Sequence, residues 1–350
     1  MITVVYGTRP EAIKLAPVVD ELRSRSSQVR AICTGQHQEL LDAVALKADV
    51  ALELMEPNQT PTAFIARALK RIDEELDAST EWVLVQGDTA TAFAASLVAF
   101  QRKISIGHVE AGLRTYDLEA PFPEEGYRQM IDRIATRLYA PTMRAKENLI
   151  REGRLQSDIL ITGNTGIDAA MRAGLGRSHG KPPFILVTIH RRESFGAPIE
   201  QVCRALLRIV KTTDLNVVLP MHPNPNVRRT LEAMLRGQPQ IQLIDPLGYT
   251  DLLATMCHSM CVLTDSGGIQ EEAPTFGIPV LVARATTERP EAIEAGAARF
   301  VGFDEDLIVR EVIRLHTEPH VRAQMAVPRY LFGDGQASER IANDLLRKTP

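Results

Sequence analysis

The chain has 350 residues, 45% hydrophobic and 24% charged, which suits a folded protein of two ordinary domains or one large one. A formal net charge of -4 excludes a basic field of the whole protein for nucleic acid, so any anion site must be local. No apolar run is long enough to span a bilayer, and the four cysteines lack zinc-finger or CxxC spacing.

The first segment, MITVVYGTRPEA, has no basic stretch followed by a long apolar core. A signal peptide is therefore not expected, and a reducing cytoplasm suits the cysteine usage. A strand is predicted over Ile2–Tyr6 and a helix over Ala12–Ser24. Between them Thr8-Arg9-Pro10-Glu11 fits a capping box, with Thr8 as N-cap and Glu11 at N3. Arg9 and Lys14 are left near a helix start, where the dipole disfavours cations. A bound anion would offset that cost; solvated surface charge is the plainer alternative.

Strand Val29–Cys33 and helix Thr62–Asp77 follow. Strand Trp82–Gln86 exits into Gly87-Asp88 ahead of helix Ala90–Phe100, and strand Ile104–Val109 exits into Glu110. Glu124 lies in PFPEEGYR, just ahead of a helix read as Glu125–Arg137, and strands Leu138–Ala140 and Ile159–Thr162 close this series. The Gly-, Ser- and Pro-containing stretch AAMRAGLGRSHGKPPF then marks a domain boundary.

In the second series Phe184–Ile189 exits into His190-Arg191-Arg192-Glu193, with helix Ile199–Thr212 after it. Asn216–Pro220 exits into Met221-His222, and Cys261–Thr264 exits into Asp265. Ile241–Ile244, Val280–Val282 and Arg299–Val301 complete the strands, and Ala337–Arg347 reads as a helix. The predicted organisation is 1–168, 169–336, and a terminal segment 337–350 able to cross back to the first domain.

Strand–helix alternation of this kind reads as two doubly wound, Rossmann-like α/β domains with a cleft between them. In open α/β sheets ligands sit beyond the carboxyl ends of the strands. One polar residue at a strand exit is ordinary turn chemistry. Five such exits, from both series, point to one site between two strand-end rims.

The stretch LTDSGGIQEE adds a local anion site. Ser266 is a good N-cap, Gly267 and Gly268 admit close approach to the backbone, and a helix is predicted from near Ile269. Glu271 and Glu272 in the first turn either complement the dipole or bond ribose hydroxyls, and Gly277 ends the helix. The loop is neither a Walker A motif nor GxGxxG, which argues against a P-loop ATPase or a dinucleotide oxidoreductase.

Taken together, GTRPEAIKLAPVV, QGDTATAFA, GHVEAGLRT, PFPEEGYRQMIDRIA, ITGNTGIDA, HRRESFG, MHPNPNVR, LTDSGGIQEEAPTFGIPVLV and TTERPEAIEAG resemble the non-hydrolysing UDP-N-acetylglucosamine 2-epimerases. The resemblance runs from Ile2 to about Ala337. It implies a glycosyltransferase-B-like fold, a homodimer, no nicotinamide or metal cofactor, and a UDP-sugar substrate. It also implies interconversion of UDP-GlcNAc and UDP-ManNAc, through elimination of UDP to 2-acetamidoglucal and re-addition.

By the same resemblance Asp88, Glu110 and Glu124 are the catalytic carboxylates, and His190 stands near the diphosphate. Arg9, Lys14, Arg128, His222, Ser266, Gly267 and Glu272 are implied as substrate-binding. The chain departs from the family pattern at Tyr127, where Asn is usual, and at Ile189 and Ala285. These changes bear on the sugar and keep open a 2,3-diacetamido uronic acid nucleotide as an alternative. Gln36-His37-Gln38-Glu39 and Asn58-Gln59 depart from the family's activator motif, so weak or absent activation by substrate is expected. A hydrolysing epimerase, a glycosyltransferase of the same fold and a nucleotide-sugar sensor are the rival readings.

Overall fold

The computed structural model describes residues 1–35, 46–176, 183–191, 194–222 and 224–347. The chain divides into two compact units: Met1–Arg172 with Phe332–Pro350, and Ala173–Leu331.

Unit 1 runs β1 (Ile2–Tyr6), α1 (Arg9–Ser24), β2 (Val29–Cys33), β3 (Val50–Ala51), α2 (Pro61–Glu75), β4 (Trp82–Gln86), α3 (Ala90–Gln101), β5 (Ser105–Val109), α4 (Glu124–Ile134), β6 (Arg137–Ala140), α5 (Met143–Arg151), β7 (Ile159–Ile161) and α6 (Thr165–Arg172). Its strands form one sheet in the order β3-β2-β1-β4-β5-β6-β7, with every ladder parallel. Apolar clusters cover both faces of the sheet, which explains why β1 and β4 read as continuous rather than alternating apolar runs. The order reverses between β1 and β4, and ligands of such sheets sit at that switch point. Register pairs Gln86 with Val109, so Asp88 and Glu110 leave neighbouring strands at the same sheet edge.

Several boundaries differ from the sequence reading by one to three residues, those of α4 among them. The helix predicted over Glu125–Arg137 starts at Glu124 and stops at Ile134, and Arg137 opens β6 instead. Arg137 fits the helical period, but its guanidinium pairs with Asp344 through two bonds of 2.7 Å. The short strand β3 is not predicted from the sequence, because two residues carry no period.

Unit 2 runs β8 (Phe184–Thr188), α7 (Ala197–Thr212), β9 (Asn216–Pro220), α8 (Pro225–Leu235), β10 (Ile241–Ile244), α9 (Tyr249–His258), β11 (Cys261–Thr264), α10 (Gly267–Thr275), β12 (Val280–Val282), α11 (Pro290–Glu294), β13 (Ala298–Phe300), α12 (Glu305–Thr317) and α13 (Pro319–Met325). The order β10-β9-β8-β11-β12-β13 repeats that of unit 1, again all parallel, with its switch point between β8 and β11. α7 lays Ile199, Val202, Leu206 and Ile209 against this sheet at helical spacing.

The last helix, α14 (Ala337–Arg347), belongs to unit 1. Ile341, Ala342 and Leu345 are fully buried in the same cluster as β1 and α1. Asp168 accepts from the Ser338 amide and hydroxyl at 2.7 and 2.6 Å. All four cysteines are buried, and no helix among the described residues is long and apolar enough to cross a membrane.

Candidate active site

Unit 1 gathers its candidate groups at the β1/β4 switch point. The α1 start is fixed by Glu11, which accepts from the Gly7 amide at 3.2 Å, the Thr8 amide at 2.8 Å and the Thr8 hydroxyl at 2.7 Å. Its other oxygen takes the Thr89 hydroxyl at 2.8 Å, so Glu11 also ties the α1 start to the cap of α3, one residue after Asp88. Burial pushes the Glu11 carboxyl up to about 7 against the pull of these donors. Arg9 is half-buried, and burial lowers its guanidinium from the ordinary value.

Each of the two strand-end acids is held by a cation. Lys14 reaches Glu110, whose same oxygen accepts from Gln86 Nε2 at 2.6 Å. Glu110 itself sits at φ +70, a conformation disfavoured for non-glycine residues. Arg128 on α4 bonds Asp88 and lies 3.5 Å from Glu125. Glu124 is the first residue of α4 rather than a residue ahead of it, and stands one turn before Arg128 on the same helix face. Glu125 is fully buried and plays a structural part. It accepts the Thr115 and Tyr116 amides at 3.2 and 3.1 Å and so shapes the loop before α4. Tyr127 stacks on Phe93 with ring centroids 5.2 Å apart.

Unit 2 builds its candidate site around β8 and β11. Asp265 is fully buried, and one oxygen accepts the His190 amide at 2.8 Å, the Arg191 amide at 2.9 Å and the Ser194 hydroxyl at 2.7 Å. The strand-exit acid is thus a clamp that shapes the His190 loop. His190 Nδ1 lies 3.2 Å from the other oxygen, and its ring stacks on His222 at 5.8 Å between centroids. The Asn224 amide donates to His222 Nδ1 at 3.2 Å, which places the proton of the neutral ring on Nε2. Arg191 is lowered by burial first, and by Arg284 and Arg289 beside it.

α10 begins at Gly267, two residues earlier than predicted, with Ser266 as the N-cap residue. The Ser266 hydroxyl makes no capping bond; its amide donates instead to Thr264 Oγ1 at 2.9 Å. Gly267 meets Arg289: a Cβ there would lie 2.7 Å from a guanidinium nitrogen and 2.8 Å from its carbon. Gly268 has more open surroundings, its nearest atom being Glu272 Oε1 at 3.9 Å. Arg289 is buried, pairs with Glu288, and donates to Glu271 at 2.5 Å. Glu271 is thereby committed to the protein, whereas Glu272 accepts the Tyr249 hydroxyl of α9 at 2.9 Å. Sequence reasoning misses Arg289 and Tyr249, since neither lies near the SGG loop in the chain.

The described residues thus bring Asp88 to Arg128 and Glu110 to Lys14 in unit 1, and His190 to His222 in unit 2. Arg192, Glu193, Pro223 and the Gln36–Glu39 stretch lie outside the described residues. Chemically, unit 1 offers carboxylates poised by cations, and unit 2 offers a helix start with histidines and a carboxylate nearby.

A sequence profile of the UDP-N-acetylglucosamine 2-epimerase family matches residues 20–346. A UDP-N-acetylglucosamine 2-epimerase of Bacillus subtilis is 44% identical over 98% of this chain and 94% of its own. The crystal structure of the Neisseria meningitidis enzyme bound to UDP-GlcNAc is 39% identical with a TM-score of 0.95, covering 99% of this chain and 100% of that one. A glycosyltransferase of kitacinnamycin, 15% identical with a TM-score of 0.66 over 100% of this chain and 98% of that one, shares the fold alone.

Proposed function

The chain belongs to the UDP-N-acetylglucosamine 2-epimerase family, and we propose that it inverts C2 of UDP-N-acetylglucosamine without net hydrolysis. The C2 hydrogen of the sugar is not acidic while the glycosidic bond is intact. As the C1–O bond breaks, UDP leaves with the bonding pair and C1 gains oxocarbenium character. A carboxylate then takes the C2 proton, leaving 2-acetamidoglucal and UDP. In return, the C1–O bond re-forms and a carboxylic acid delivers a proton to the opposite face of C2. The atoms balance, and no cofactor enters.

Asp88, Glu110 and Glu124 carry the proton transfers. The α10 start with Ser266 and Gly267, together with Arg9, Lys14, His190 and His222, takes the charge of the departing diphosphate. Glu272 is assigned the ribose and Arg128 the positioning of Asp88. The observation that carries this reading is the pairing of two acids at adjacent strand exits, each with its own cation. A cation bonded to a carboxylate fixes its direction, as a proton-transfer group needs.

The three departures favour UDP-GlcNAc over a uronic acid nucleotide. Tyr127 is engaged with Phe93, Ile189 is buried and Ala285 is exposed. None adds the cation a sugar carboxylate would require. A homodimer, a cytoplasmic location, a role in supplying polysaccharide precursors and weak substrate activation belong to the same proposal.

The test is incubation with UDP-GlcNAc in heavy water. Deuterium at C2 in both epimers, with UDP below stoichiometric, is the expected result. Stoichiometric UDP with free sugar would mean hydrolysis, and acceptor-dependent turnover with C2 retained would mean glycosyl transfer.

A further inference from the structure

His108 lies in the middle of β5, pairs across the ladder with Val85, and is fully buried beside Ile106. Its Nε2 is 2.8 Å from the Gly87 carbonyl oxygen, and its Nδ1 is 2.6 Å from Asp132 Oδ1. A carbonyl only accepts, so Nε2 carries a proton. Asp132 also only accepts. Its second oxygen takes the Gly112 amide at 3.1 Å and lies 2.7 Å from Arg114 Nη2. Burial pushes the Asp132 carboxyl up, but His108 and Arg114 outweigh it and hold the group below its ordinary value. The ring thus bridges a carbonyl on one side and a carboxylate on the other.

The contacts continue outward from His108 to Asp132, Arg114 and then Glu152, which Arg114 meets through two bonds of 2.7 Å. What this chain holds is specific. The Gly87 carbonyl belongs to the peptide that enters Asp88, and the amide of Gly87 is fixed to the Val109 carbonyl at 3.0 Å. Gly112 lies two residues after Glu110, at φ +87, where a Cβ would sit 2.3 Å from the Ala145 carbonyl oxygen. One imidazole ring thus pins the loop of the first acid directly and the loop of the second through Asp132.

We propose that His108, bonded to the Gly87 carbonyl on one side and to Asp132 on the other, is the positioning residue that holds the Asp88 and Glu110 loops in register with each other. It touches no substrate. The proposal rests on the catalytic reading of those two acids. A histidine that merely satisfies the core would affect stability alone, whereas displacement of two proton-transfer groups lowers kcat and leaves substrate binding in place.

The experiment uses the double variant His108→Leu/Asp132→Leu. It removes both partners of the Nδ1 contact together and leaves Arg114 paired with Glu152. The expected result is a cooperatively folded protein whose kcat for UDP-GlcNAc falls about 100-fold with KM within about twofold. A folded double variant with kcat within about threefold of the parent overturns the proposal, and so does a loss carried wholly by KM.

Asp88→Asn and Glu110→Gln are assayed beside it. If they abolish turnover while the double variant does not, the positioning role fails alone. If they retain the parent rate, the catalytic reading fails and takes the positioning role with it. A readout that needs no variant is the nitrogen-15 spectrum of labelled histidine, with His108 assigned through contacts to Val85. A protonated Nε2 hydrogen-bonded to the Gly87 carbonyl supports the proposal, and an unprotonated Nε2 overturns it.

Discussion

Replacing Glu11 by glutamine should stabilise unit 1 at neutral pH and do little in acid. The side chain is buried, and its carboxyl is raised by desolvation to about 7 from the ordinary 4.5. The native state therefore keeps this proton over a range in which the unfolded chain has released it. The raised value contributes stability that is fully present below about pH 4.5 and is lost as pH rises through about 7. A difference of about 2.5 pH units, at 1.36 kcal/mol each, makes the loss about 3 kcal/mol.

Glutamine fits the same donors. Its carbonyl can accept from the Gly7 and Thr8 amides, while its amide faces Thr89 Oγ1, which already accepts the Ala92 amide at 3.0 Å. Thermal unfolding of the parent and Glu11→Gln is followed from about pH 4 to about pH 8. At roughly 2–4 °C per kcal/mol for a domain of this size, the variant should gain about 6–12 °C relative to the parent across that range. A Tm difference independent of pH would refute the reasoning. So would a parent that gains on the variant as pH rises, since the four donors would then outweigh desolvation.

Two further outcomes follow from unit 2. Gly267→Ala places a methyl against the Arg289 guanidinium and forces it from Glu271 and Glu288; we expect a loss of about 1–3 kcal/mol in denaturant unfolding and a raised KM for UDP-GlcNAc. Tyr249→Phe removes the hydroxyl donor that α9 supplies to Glu272, so KM should rise about 3- to 10-fold with kcat unchanged in steady-state assays.

The doubly wound pattern is legible because buried parallel strands leave continuous β-branched runs, and those runs end where polar side chains begin. Asp88 and Glu110 stand out for that reason, independently of any resemblance. What stays hidden depends on partners distant in the chain. Asp265 reads like Asp88 as a strand-exit acid, yet it is consumed by three donors of the His190 loop. Glu271 and Glu272 are neighbours of equal chemistry, and it is Arg289 and Tyr249 that separate their roles. His108 inside GHVEAGLRT reads as an ordinary core residue until Asp132 and the Gly87 carbonyl are seen on either side of its ring. Arg137 reads as helical because local periodicity cannot reveal that its counter-ion comes 207 residues later.

That last pairing bears on how the protein is made. Unit 2 is a contiguous stretch, Ala173–Leu331, whereas unit 1 is interrupted by it and finished by α14. On the ribosome, unit 2 has all of its strands and helices before Asp344 and Ser338 exist to meet Arg137 and Asp168. The portion synthesised first is thus the last to close, and a nascent chain halted after Leu331 carries a finished second half beside a first half still holding two buried charges without their partners.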